Sequence, residues 1–126
     1  MASKLYTTYA ANLKSIPEGV LVFSIMQMPL AFMKKAGIPN IVELSPNSEI
    51  FVEYRKNKDW NKFEESYKKQ MYEDPKTMQY INFLIQALDN DDNDICLVCC
   101  EKDNAKCHRR LIAEYIASLG YTTIEL

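Results

Sequence analysis

Two uninterrupted apolar runs, Val20 to Met26 (VLVFSIM) and Ile95 to Cys100 (ICLVCC), stand out from a chain whose other apolar residues recur mostly at helical spacing. Runs of this length, with no polar alternation, fit strands buried on both faces, as in a parallel sheet. Shorter stretches rich in aromatic and β-branched residues add three expected strands: Lys4 to Tyr9, Ile41 to Leu44 and Thr122 to Leu126. Asn12 to Ile16 reads as a short turn before the breaker Pro17-Glu18-Gly19. Between the strands lie helices. Leu30 to Ala36 is a short one, closed by Gly37 and Pro39. The next runs from a cap at Asn47 or Ser48 to about Lys56, and another from Trp60 to about Met71 with Asp59 as its cap. Pro75 opens a helix whose buried face is Met78, Ile81, Leu84, Ile85 and Leu88. The last helix opens near Cys107, turns Leu111, Ile112, Tyr115, Ile116 and Leu119 inward, and ends at Gly120. Strands alternating with helices predict an α/β fold, a single small three-layer domain over residues 1–126 with a mostly parallel central sheet.

Length and composition agree with one self-sufficient core: 126 residues, 48% apolar and 25% charged, need neither disulfide nor metal to fold. A net charge of −2 argues against a surface given over to nucleic acid, which leaves only a local basic patch for that role. MASKLYTTYAANL lacks a signal pattern and no apolar run approaches the roughly 18 residues of a membrane span, so a cytoplasmic protein without membrane attachment is expected. Oligomeric state has no signature. Asp89 to Asn93 is acidic, but without the central glycine and distal glutamate of a calcium loop it reads as a plain turn. The stripe Trp60, Phe63, Tyr67, Met71 is read as core rather than as a platform for stacking a base.

The chemistry gathers between residues 95 and 119, a stretch that holds all four cysteines, and its strand, polar loop and helix bring three of them, the single histidine and two arginines to or near one spot. A strand end facing a helix N-terminus suits a bound anion. Cys107 at that terminus, beside cationic side chains, is placed to ionise below the ordinary thiol range of about 8.5. His108 is the candidate general acid or base, and Glu101 the candidate to orient it or to neutralise Arg109. Adjacent helical residues diverge by about 100°, so Arg109 is assigned to the site and Arg110 to solvent or to Glu114. Strand alternation sets Cys99 on the face of Ile95 and Leu97, and Cys100 with Cys96 and Val98. Cys96 is read as a small buried apolar residue.

Nucleophilic group transfer through Cys107, redox pairing of Cys107 with Cys99 or Cys100, and metal ligation by a cysteine pair with His108 all draw on these groups. Neighbouring Cys and His seldom both reach one zinc, and the two-residue spacing of a zinc knuckle is absent, so no metal or other cofactor is assigned. The bland alternative is that these residues pack or cap the helix.

Cys99-x-Glu101, a loop, and Cys107-His108-Arg109 opening a helix with Leu111, Ala113 and Glu114 together resemble the DUF488 family, a group without a known activity. KLYTTYA, VLVFSI followed by a proline, and the segment from Leu44 to Met71 with its Ser-Pro, Trp and Tyr-rich helix are similar to that family as well. The resemblance implies a small α/β domain and a shared site of Cys99, Glu101, Cys107, His108 and Arg109. Where the family tends to carry a basic residue after the second strand this chain has Gln27, which implies a weaker or different ligand. Two functions follow as expectations. In the first, Cys107, His108 and Glu101 catalyse, and Arg109, Cys99 and Gln27 bind ligand, in a thiol-dependent hydrolase or transferase for a small anionic, nucleotide-like substrate. In the second, the same helix N-terminus binds an anionic ligand or nucleic acid without chemistry.

Overall fold

The computed structural model describes residues 3–90 and 93–126. Its strands are β1 (Leu5–Tyr9), β2 (Leu21–Ser24), β3 (Ile95–Cys99) and β4 (Thr123–Glu125), and its helices α1 (Ala31–Lys35), α2 (Ser48–Asn57), α3 (Trp60–Glu73), α4 (Pro75–Asp89) and α5 (His108–Ser118). Tighter 3₁₀ turns occupy Ala10–Ser15, Val42–Leu44 and Asn104–Lys106. The four strands lie in the order β2-β3-β1-β4, every neighbouring pair parallel. The fold is the expected α/β type with a parallel sheet.

β3 sits inside the sheet because all five of its side chains tolerate burial. Its alternation sorts them to two cores. Ile95, Leu97 and Cys99 pack with Tyr67 of α3, Leu84 of α4 and Ile112 of α5. Cys96 and Val98 face Ala10 and Met33, so the turn after β1 and the short α1 cover the opposite face. Removal of apolar side chains from water on both faces, at about 25 cal/mol per Å², is the main force holding these layers together.

Local signals set the helix ends. Asp59 caps α3 by accepting from the amide of Lys62 (3.2 Å), and Asp74 caps α4 by accepting from that of Lys76 (3.0 Å), with Pro75 where no amide is needed. Trp60, Phe63, Tyr67 and Met71 do form one inward stripe, Trp60 only half-buried. The stripe also fixes an irregular segment. Tyr67 Oη donates to the carbonyl of Leu44 (2.5 Å), and Gln70 donates to that of Ser45 (2.9 Å) and accepts from the amide of Asn47 (2.9 Å). Buried backbone groups that no strand pairs are thus satisfied by side chains.

Three details depart from the sequence reading. β2, expected to be buried on both faces, lies at the edge of the sheet and is only partly covered: Leu21 is 46% exposed, and Phe23 is shielded partly by the edge-on ring of Phe83. Ile41 to Leu44 forms no strand but a single bridge, Ser24 to Asn40, followed by the 3₁₀ turn. Met78 and Leu119 point outward, while Thr77 is buried and donates to the carbonyl of Glu43 (2.8 Å). The predicted turn at Asp89 to Asn93 falls partly on residues 91 and 92, outside the described residues. Among the described residues no helix is long and apolar enough to cross a membrane.

Candidate functional site

Parallel pairing places the carboxyl ends of β1, β2 and β3 at one edge of the sheet. There β3 ends at Cys99, and after the loop α5 begins at His108 with Cys107 as its N-cap. The backbone after β2 reaches the same spot: the amide of Ile25 donates to the carbonyl of Val98 (3.0 Å), and the carbonyl of Ile25 lies 2.7 Å from His108 Nε2. A carbonyl can only accept, so Nε2 carries the proton of that bond. Nδ1 is left with a free lone pair 3.9 Å from the Cys107 sulfur, while the Cys99 sulfur stands beside both ring nitrogens, 3.6 Å from Nε2 and 3.9 Å from Nδ1.

Two neighbours hold this geometry. Asn40 accepts from the amide of Met26 (3.0 Å) and donates to its carbonyl (2.8 Å), pinning the backbone next to Ile25. The ring of Tyr67 stands edge-on to His108 with centroids 5.5 Å apart. Cys99, Cys107 and His108 are all buried.

The two thiols share a proton unequally. A hydrogen bond from Cys99 pulls the Cys107 thiol down to about 4 against the opposing effect of burial, helped by His108 and by the backbone amide of Arg109. Burial and the adjacent Cys107 sulfur push Cys99 well above its ordinary value. Cys107 is therefore the thiolate and Cys99 the donor. On the other face of the sheet burial pushes Cys96 up to about 12, which makes it an inert apolar group. Cys100 is exposed because it lies just past the end of β3, beyond the layers that bury both faces of that strand.

Arg109 is fully buried and held elsewhere than on a ligand. Its Nε and Nη2 donate to the Glu125 carboxylate at 3.2 and 2.9 Å, and Nη1 and Nη2 to the carbonyls of Glu101 (2.5 Å) and Lys102 (3.3 Å). Four of its five N–H donors are so engaged. The residue expected to clamp an anion instead ties the loop and β4 to α5. Glu101 contributes its carbonyl while its side chain is exposed at the rim, so Glu125 rather than Glu101 neutralises Arg109. Gln27 donates to Ser48 Oγ (2.8 Å), joining the segment after β2 to the start of α2. Arg110 pairs with Glu114 (2.8 Å), as its spacing suggests, and also with Glu64 (3.2 Å).

A family model described as the active DUF488-N3 subclade matches residues 18–120. The chain belongs to the DUF488 family. No curated protein and no solved structure matches it. The DUF488 match spans β2 to the end of α5 and so contains Ile25, Tyr67, Cys99, Cys107 and His108, whereas Glu125 lies beyond it. Four participants in this DUF488 site were not assigned from sequence, among them Asn40, which acts through the backbone of Met26. The Ile25 carbonyl is backbone and carries no residue signal, and Tyr67 was counted as core alone, although it also walls the imidazole. Glu125 had a detectable sign: Arg109 shares a helix face with Ile112 and Ile116, and a charge on a buried face requires a partner.

Proposed function

We propose that this chain is a thiol-dependent hydrolase or transferase in which Cys107 is the nucleophile, acting on a small anionic, nucleotide-like substrate at the carboxyl ends of the strands. The observation that carries this reading is the place of Cys107 at the head of α5, with its sulfur 3.9 Å from His108 Nδ1 and the Cys99 thiol beside it, a setting that draws its thiol down. The name of the matching subclade, which calls it active, points the same way. In the reaction Cys107 Sγ bonds to an electrophilic carbon or phosphorus as the bond to the leaving group breaks, and the leaving group takes its proton from solvent. Water or an acceptor hydroxyl then attacks the thiol adduct while its proton passes to the lone pair of His108 Nδ1, the Cys107 thiolate is released, and Nδ1 returns the proton to solvent. Lys102 and Lys106, exposed on the loop between β3 and α5, supply positive charge for an anion in place of Arg109.

The alternative of a binding module for an anionic ligand or nucleic acid rests on closure: Cys107 is 3% and His108 7% exposed. The pH profile of alkylation separates the two. In a Cys100→Ser background, iodoacetamide modification of Cys107 is followed by peptide mass spectrometry. A thiolate formed well below neutrality makes the rate nearly flat from about pH 6 to pH 8, falling only toward strong acid, where protonation of the sulfur removes the nucleophile. An ordinary thiol would instead gain roughly tenfold per pH unit over that span. Such a rise, or complete inertness, would remove the nucleophile and leave the binding module.

A further inference from the structure

We infer that Cys99, Cys107 and His108 form a binding site for a thiophilic divalent cation of the zinc class. The ligand atoms of these three residues all lie within 4.8 Å of one another. The sequence argument against a shared ion assumed that neighbouring Cys and His diverge. They converge here because Cys107 is the extended N-cap, with φ −141° and ψ 142°, while His108 is the first helical residue.

The geometry is close to that of a bound ion. Metal bonds of about 2.3 Å to sulfur and 2.0 Å to nitrogen at tetrahedral angles put sulfur and nitrogen about 3.5 Å apart. Nδ1 is 3.9 Å from each sulfur, and the Cys99 sulfur is nearer Nε2, at 3.6 Å, so a turn of the imidazole or of the Cys99 side chain that aims Nδ1 between the two sulfurs completes the set. The free lone pair is on Nδ1, 3.9 Å from each sulfur, because Nε2–H is donated to Ile25 at 2.7 Å. A backbone carbonyl holding the far ring nitrogen is how metal-ligating imidazoles are commonly oriented.

The donor set selects the ion. Two sulfurs and an imidazole favour zinc over magnesium or calcium, which take oxygen ligands. Two thiolates cancel a divalent charge, which suits a centre as buried as this one. Binding displaces the single proton shared by the two sulfurs to solvent, and both sulfurs then bond the metal. The group contains three such residues among those described, so a fourth position is open to water or to a ligand. An occupied site takes the Cys107 electron pair and blocks attack by it. This consequence rests on the proposed nucleophile, whereas the metal site itself does not.

Cobalt(II) is the probe, added without oxygen to reduced Cys100→Ser protein. The expected result is one equivalent bound, with sulfur-to-cobalt charge-transfer bands in the near ultraviolet and strong visible bands of tetrahedral cobalt, both removed by zinc. Cys99→Ala and His108→Ala should each weaken binding by at least about tenfold, whereas Cys96→Ser, a buried cysteine on the opposite face, should leave the spectrum unchanged. Weak octahedral bands, no binding, or an unaltered spectrum in Cys99→Ala would overturn the site. The parent protein's spectrum decides this even where a variant fails to fold. One equivalent of zinc should also stop alkylation of Cys107. Cobalt binding with a steep alkylation profile would retire the nucleophile and keep the metal site, and the reverse pair of results would retire the metal site alone.

Discussion

Cys107→Ser should abolish turnover of whichever electrophilic or phosphorylated compound the parent protein consumes, while its thermal unfolding shifts by no more than a few degrees. Serine replaces a sulfur ionised near neutrality by a hydroxyl that stays protonated, and no other group at the site offers a comparable electron pair. The fold should survive because the Cys107 side chain caps no amide and the two residues are nearly the same size. Retained turnover would end the assignment of this sulfur as nucleophile, and loss of the fold would mark it as structural. Cys99→Ala extends the test. It removes the largest influence holding the Cys107 thiol down, a hydrogen bond to a charged sulfur worth about 1.5–3 kcal/mol. That raises the Cys107 value by roughly one to two units, so alkylation toward the acid end of the profile slows by about tenfold to a hundredfold, with little change at alkaline pH. An unshifted profile would show that Cys99 does not set the charge.

The largest effect on stability is expected from Glu125→Ala. Arg109 has no exposed side-chain surface, and its pairing with Glu125 at 2.9 Å is what allows a full charge to remain there. Removing one partner of a buried pair typically costs about 3–5 kcal/mol, because the other charge is left uncompensated. The Glu125 side chain is 29% exposed, so the lower end, about 3 kcal/mol, applies. For a chain of this length that corresponds to roughly 10 °C in Tm. The doubly neutral combination Arg109→Met with Glu125→Gln should be less destabilised than Glu125→Ala alone, since no unpaired charge remains. Urea unfolding of the three variants measures both quantities. A cost below about 1 kcal/mol for Glu125→Ala would place this pair with ordinary surface ion pairs.

The sequence discloses what local chemistry decides. Asp59 and Asp74 announce helix starts, strand alternation separates Cys99 from Cys100, and the Cys-His-Arg run marks the helix head. Pairing between distant segments is less visible. The run VLVFSIM looks the same whether strands lie on both sides of it or on one, so strand order is not legible in it, and β2 lies at the sheet's edge with Leu21 exposed rather than buried. Arg109 illustrates the same limit for function. Residue type and spacing place it at the site, but its use is decided by β4, which pairs Glu125 opposite Thr7 in β1 and so brings a carboxylate across to α5. Ile25 acts through its backbone, which no residue type reveals.

The position of β4 in the sheet also makes the head of α5 depend on an element that lies beyond that helix in the chain. Arg109, the residue after His108, has its counter-charge only while β4 is docked on β1. Undocking β4 would therefore leave a buried charge unpaired one residue from the imidazole, so the two sulfurs and His108 are held in place by the edge of the sheet as much as by the helix that carries them.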